Sequence, residues 1–262
     1  MLPRRSLRLS SVLLVAGIWI SAPSVAGPSY GRTLLEDTKL YFTAPLRWDK
    51  RDWLYFGGTV AAIGVAHEYD DNVRAHFATA SSAALDGKDP HGLRDAAPAA
   101  AIVVGTWTFA AFIDDSAGYE EGRQMLEAAG LSAISTTLFK YAAGRKRPNE
   151  TTRVDAWSQS GDSFPSMHAS AAFAIGTVLA ESGGDEYRWV RRTLGYGIAG
   201  ATAYARLHDN VHWFSDVVAG AGLGIATAHF VMNRGEARAE QSAFMVVPTD
   251  GGVMLTWHHD LN

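Results

Sequence analysis

The 262-residue chain carries 23 basic against 27 acidic side chains, a formal net charge of −4, so no overall electrostatic pull towards nucleic acid exists. It contains no cysteine, which excludes disulfides and thiol chemistry and leaves the fold to stand on packing. Its hydrophobic content of 47% is enough for one large packed domain.

The opening, "MLPRRSLRLSSVLLVAGIWISAPSVAGPSYG", sets Arg4, Arg5 and Arg8 before a short apolar run, Val12 to Ile20, and ends in small residues. That layout predicts an export signal over residues 1–26, cleaved after Ala26, with an uncleaved anchor as the alternative. The run is shorter than the ~20 residues a spanning helix needs. Export without cysteine points to the bacterial periplasm, and residues 27–262 read as a single domain.

Residues 27–50 are mixed and read as irregular. Apolar runs too long for strands predict helices at about 50–69, 96–114, 121–143, 166–181, 187–205 and 213–234. Pro148 disfavours helix at Arg147, so the third helix ends near there. "ALDGKDPHGLRD" and "ESGGDEYR" read as loops. The tail "FMVVPTDGGVMLTW" holds two β-prone runs around Asp250-Gly251-Gly252, a small hairpin in outline. The expected fold is therefore all-α, a bundle of about six helices with a C-terminal β-hairpin. The runs Ala96–Ile113 and Val217–Asn233 are rich in alanine and glycine, and mean hydropathy is −0.03. A soluble bundle with these runs in its core is the favoured reading, with membrane-spanning helices as the alternative and membrane-surface contact as a further partner.

Three stretches carry chemistry. In "KYAAGRKRP", Lys140 and Arg147 stand seven apart, near two helical turns, and so can face one pocket. Arg145 and Lys146 then point elsewhere. A solvated basic helix end would look the same. In "GDSFPSMHAS", Pro165 and Ser166 precede an apolar helix, and the unpaired N–H groups of a helix start favour an anion. Ser166 adds a hydroxyl and His168 lies in the first turn, although a plain serine cap gives the same pattern. In "RLHDNVHWFSD", Asp216 follows His212 by four residues, a spacing at which a carboxylate can fix an imidazole's tautomer. The competing reading is a zinc face of His208, His212 and Asp216.

Together the three stretches read Lys-x6-Arg-Pro, Pro-Ser-x-His and Arg-x5-His-x3-Asp. In this order they resemble the signature of the type 2 phosphatidic acid phosphatase superfamily, over roughly residues 120–234. That superfamily includes acid phosphatases, lipid phosphatases and vanadium haloperoxidases. The resemblance implies that Lys140, Arg147 and Arg206 grip phosphate oxygens, with Ser166 and the Met167 N–H completing the cradle. It implies His212 as nucleophile, Asp216 as its orienting partner, and His168 as acid and then base. Positive side chains supply the charge in that scheme, so no metal and no cofactor are expected.

The sequence departs from the pattern twice. Met167 stands where the family usually has glycine, and Ala205 where it usually has serine. The first bears on how closely the backbone can approach phosphate. "HEYDD" (His67 to Asp71) and "DDSAGYEEGR" (Asp114 to Arg123) could be imagined as cation sites, but solvated helix ends explain both, and His258 and His259 rank lower still. Trp53, Trp107, Trp157 and Trp189 read as packing residues rather than an entrance.

The expectation is an exported, metal-independent histidine phosphatase acting on phosphomonoesters or diphosphates, lipid-linked rather than small and soluble. Its partner is the phosphorylated lipid or small-molecule substrate, with no nucleic acid. The alternatives are phosphotransfer to an alcohol acceptor, a haloperoxidase holding vanadate, and a non-catalytic phosphate-binding protein.

Overall fold

The structure, a computed structural model, describes residues 30–77, 92–113, 116–185, 187–242, 244–249 and 252–257. The expected export signal, Asp114, Asp115, His258 and His259 lie outside these residues. The chain divides into two compact units between Arg47 and Trp48. The first holds helix α1 (Tyr30–Phe42) and a 3-10 turn (Ala44–Arg47), closed by the Arg47 guanidinium donating to the Leu40 carbonyl at 2.6 Å. The helix stands where the sequence alone predicts irregular structure. Its charges interrupt any long apolar run, yet no glycine or proline breaks the stretch from Arg32 to Phe42.

The second unit carries α2 (Lys50–Glu68), α3 (Asp70–Phe77), α4 (Gly92–Ile113), α5 (Ser116–Ala143), α6 (Met167–Glu181), α7 (Arg188–His208) and α8 (Phe214–Ser242). The described core is all-helical. After α8 the backbone forms strands β1 (Phe244–Thr249) and β2 (Gly252–Trp257), antiparallel, with Phe244 opposite Trp257. Helix α2 starts at a capping box. The Asp49 carboxylate accepts the Arg51 and Asp52 N–H groups, and Asp52 accepts the Asp49 N–H in return.

Helix α6 is the axis of the unit, packed against α5, α7 and α8. Nine of its 15 residues are buried, most of them alanine, serine, glycine or threonine. Small side chains on every face let three helices approach at once. The contact with α8 is close: a Cβ at Gly224 would lie 2.2 Å from the Ser170 carbonyl oxygen, and one at Gly220 2.5 Å from that of Ser166. Only glycine fits there.

The apolar runs do not all go inside. On α4, Ala99 and Val103 are buried, but Val104, Phe109 and Phe112 are exposed, and α2 exposes Trp53, Leu54, Tyr55, Phe56, Val60 and Val65. The core predicted for Ala96–Ile113 is therefore only partly a core. An apolar run says that water is unfavourable, not what replaces it.

Candidate active site

The first basic pair meets through a loop, not along a helix. Helix α5 stops at Ala143, because Gly144 takes the left-handed conformation (φ 55°) and its N–H closes on the Lys140 carbonyl at 2.9 Å. Lys140 thus lies in the last turn of the helix and Arg147 beyond it, and in place of a shared helical face the two have a shared partner, residue 162. The Lys140 ammonium donates to the Asp162 carbonyl and to the Ser163 carbonyl at 3.4 Å. The Arg147 guanidinium forks onto the Asp162 carboxylate at 2.9 and 3.0 Å. Burial first, then the Arg147 charge, lowers the Lys140 ammonium to about 8. Burial works against the Asp162 carboxylate, but Arg147 and Lys140 outweigh it and hold its pKa below the ordinary value.

Ser166 is the N-cap of α6 and fully buried; its hydroxyl oxygen accepts the Ala169 N–H at 3.4 Å. Met167 is the first helical residue. Its φ is not positive, so the torsional freedom of glycine is not needed there, and its N–H belongs to the helix-start donors without an intrahelical acceptor. His168 follows, half-buried.

Arg206 comes from the last turn of α7, fully buried, and donates to the Asp95 carboxylate of α4 at 2.9 Å. Asn210, at φ 55°, then turns the chain, and His212 lies in the loop before α8. His208 stays on α7, exposed, beside Asp209. The continuous helical face that the zinc reading needs does not form. Among the described residues, no three histidine, aspartate or glutamate side chains cluster as metal ligands would.

Asp216 sits in the first turn of α8, where a carboxylate suits the helix dipole, and it accepts the Trp213 N–H at 2.9 Å. Its nearer oxygen lies 3.6 Å from His212 Nδ1, within ionic reach but beyond a hydrogen bond. The Asp216 carbonyl accepts the Ser166 N–H at 2.9 Å, which fastens the second motif to the third. His212 is buried. Burial, followed by the charges of Lys140, Arg147, Arg206 and His168, pushes its imidazolium well below 6.5, so the ring is neutral at neutral pH. Hydrogen bonds and an ion pair link Lys140 and Arg147 through Asp162 and Ser163, and Ser166 and His212 through Asp216, while the charges of Lys140, Arg147, Arg206 and His168 all bear on the His212 ring.

Four neighbours went unrecognised in sequence. Asp162 and Asp95 hold the arginines; Asp70 and Arg145 lie behind Asp216. Arg145 was read as pointing away from the pocket, yet it is fully buried, with its guanidinium on Asp216 at 2.6 Å and Asp70 at 2.7 Å. No periodicity could find it, because residues 144–147 are not helical. In the other acidic stretch, Glu120 pairs with Arg123, which also meets the buried Glu127 one turn on, and Glu121 pairs with Arg191 of α7.

A cationic cradle around an imidazole–carboxylate couple, carried on the ends of packed helices, defines an oxyanion-handling site. The family model described as PAP2 superfamily matches residues 121–239, which contain all three motifs, so the resemblance read from those motifs is to that superfamily. A lipid A 1-phosphatase of Porphyromonas gingivalis is 37% identical over 86 residues, 33% of this chain and 17% of that protein. A PA-phosphatase related-family protein of Dictyostelium discoideum is 29% identical over 123 residues, 41% of this chain and 45% of that one. The chain thus spans less than half the length of either relative. No solved structure matches it.

Proposed function

We propose that this protein is a phosphatase that removes a phosphoryl group from a lipid-linked phosphomonoester or diphosphate through a phosphohistidine. The observation that carries this reading is the buried His212 ring 3.6 Å from Asp216, with Ser166 fastened to Asp216 and with Lys140 and Arg147 joined to the same residue through Asp162 and Ser163. A phosphoryl group in transfer spreads negative charge over its oxygens, and fixed cations stabilise that charge most where water is excluded.

In the proposed sequence, the three cations and the Ser166 hydroxyl and Met167 N–H hold the oxygens. His212 presents Nδ1 to Asp216, which leaves Nε2 to attack phosphorus. The P–O bond to the leaving group breaks as the N–P bond forms, and His168 gives its proton to the departing alkoxide. Water then attacks phosphorus, His168 takes its proton, and the N–P bond breaks to release phosphate. Asp216 stabilises the positive charge that develops on the His212 ring; no step calls for a metal or a cofactor. Lipid-linked substrates are favoured by the exposed apolar helix faces of α2 and α4 and by the similarity to a lipid A 1-phosphatase. Export to the periplasm is part of the same proposal, resting on the opening thirty residues.

The test is a phosphate-release screen over lipid phosphates, lipid diphosphates and soluble aryl phosphates, with and without chelator. Release that survives chelator and vanishes in His212→Ala, with an acid-labile, base-stable phosphoenzyme, is expected. Activity lost to chelator and restored by zinc would overturn it.

A further inference from the structure

The strongest cluster outside the eight site residues is built by the "HEYDD" segment, which lies before the family-matched region. Asp70, fully buried in the first turn of α3, takes four donors. The Ser215 N–H and hydroxyl reach it at 2.8 and 2.7 Å, Arg145 at 2.7 Å and His67 Nδ1 at 2.8 Å. Arg145 spans from Asp70 to Asp216 and also donates to the Ser215 hydroxyl at 2.8 Å and the Val154 carbonyl at 3.0 Å. Its guanidinium lies 4.4 Å from the Trp157 ring centroid and 5.2 Å from that of Trp213. The remaining Asp216 oxygen accepts the Ser163 hydroxyl and the Trp213 N–H.

We infer that Asp70 and Arg145 are positioning residues for the proposed phosphoryl transfer, setting the orientation and charge of Asp216 and through it of His212. The inference rests on the phosphatase reading. One guanidinium is shared by two buried carboxylates and His67 bonds only Asp70, so Arg145 cannot by itself neutralise Asp216, whose negative charge lies beneath His212. Without Arg145, two carboxylates would face each other in a site closed to water. Without Asp70, Arg145 would lie wholly on Asp216 and draw it away from the imidazole. Asp70 also holds the Ser215 N–H, an otherwise unpaired donor of α8, and so fixes the helix start that carries Asp216. Two flat indoles leave the guanidinium little rotational freedom, so its planar fork is used where a lysine's point charge could not bond both carboxylates at once.

The test compares wild type, Asp70→Asn, Arg145→Gln and Arg145→Lys by turnover of whichever substrate the screen identifies. Circular dichroism and bound vanadate per chain are measured for each, so that the folded, oxyanion-competent fraction is known. Per competent site, Asp70→Asn and Arg145→Gln are expected to lower kcat about tenfold, as a broken buried network does. The pH profiles separate positioning from scaffolding. Charged or titratable groups bearing on His212 are Lys140, Arg147, Arg206 and His168, with Asp216 across its Nδ1, Asp162 beyond, Asp70 and Arg74 lining a cavity with it, and His67 and Asp155 behind Asp70; only the substituted residue is altered. Loss of the Asp70 charge is expected to move the acid limb of kcat/KM down, and loss of the Arg145 charge to move it up, each by about half a pH unit. Arg145→Lys keeps the charge, so its limb stays in place while kcat falls. Wild-type kcat per competent site, or unshifted limbs in both variants, would overturn the inference and leave the phosphatase reading intact. A wild-type chain inert on every substrate would overturn both.

Discussion

Arg147 and Lys140 both meet Asp162, one through its side chain and one through its backbone. A substrate phosphate must therefore compete with the Asp162 carboxylate for Arg147. Asp162→Asn, which keeps the shape and removes the charge, is expected to lower KM for anionic substrates about fivefold with little change in kcat, since an exposed ion pair contributes up to about 1 kcal/mol. A KM that rises would mean that Asp162 orients Arg147 rather than occupying it. Lys140 adds a pH dependence with a definite sign. Its pKa lies near 8 rather than 10.5, so the free enzyme loses this cation as pH rises through about 8, well before an ordinary lysine would. KM is expected to climb across that interval, as initial rates from pH 6.5 to 9.5 would measure. Lys140→Arg stays charged throughout, so the climb should disappear in that variant whatever its kcat.

At the scale of helices, the site depends on how closely α6 lies against α8. Gly220 faces the Ser166 carbonyl and Gly224 that of Ser170, both at distances no Cβ can share. Alanine at position 224 gains about 1 kcal/mol of helix propensity, but forcing a methyl group against backbone costs about 3 kcal/mol or more. The cost wins. Gly224→Ala is expected to lower the melting temperature and, by moving Ser166 and Met167, to reduce kcat/KM beyond the loss of folded protein. The sequence made most of this visible where chemistry and pattern coincide. The apolar runs located α2 and α4 to α8 to within about five residues, except that α8 runs on to Ser242, and the three motifs named the four side chains whose positive charge bears on His212. What stayed hidden follows from geometry that spacing does not encode. The left-handed turn at Gly144 takes Arg147 out of helical register and folds Arg145 inward. Asp70 and Asp95 come from helices before the motifs, and an acidic residue in a first helical turn looks the same whether it is solvated or buried under a guanidinium.

For the molecule as a whole, the distribution of apolar surface is the property that packing does not explain. Trp53, Leu54, Phe56, Val60 and Val65 on α2 and Val104, Phe109 and Phe112 on α4 are exposed, Leu54 to 75% and Phe112 to 87%. Leaving side chains of this size half to mostly in water forgoes about 1–2 kcal/mol each, which over eight residues is comparable with the entire stability of an ordinary domain, about 5–15 kcal/mol. A surface of that kind marks contact with something apolar. Helix α8 is of another sort. Its stretch Phe214–Glu236 is long and apolar enough to cross a membrane, but half of its most apolar window is buried within the protein, so its composition is answered by α6. The Trp48, Trp53 and Phe56 rings cluster at the start of α2, next to Lys50 and Arg51, and aromatic rings beside basic residues suit the headgroup layer of a bilayer. The full chain is therefore expected to float with phospholipid vesicles on a density gradient. Replacing Leu54 and Phe56 together by aspartate should release it, while turnover of a soluble aryl phosphate continues, because neither residue is among those enclosing His212. Flotation unchanged by that double substitution would mean that α2 is not the lipid-facing element. Loss of aryl phosphate turnover as well would mean that the helix supports the site rather than the surface.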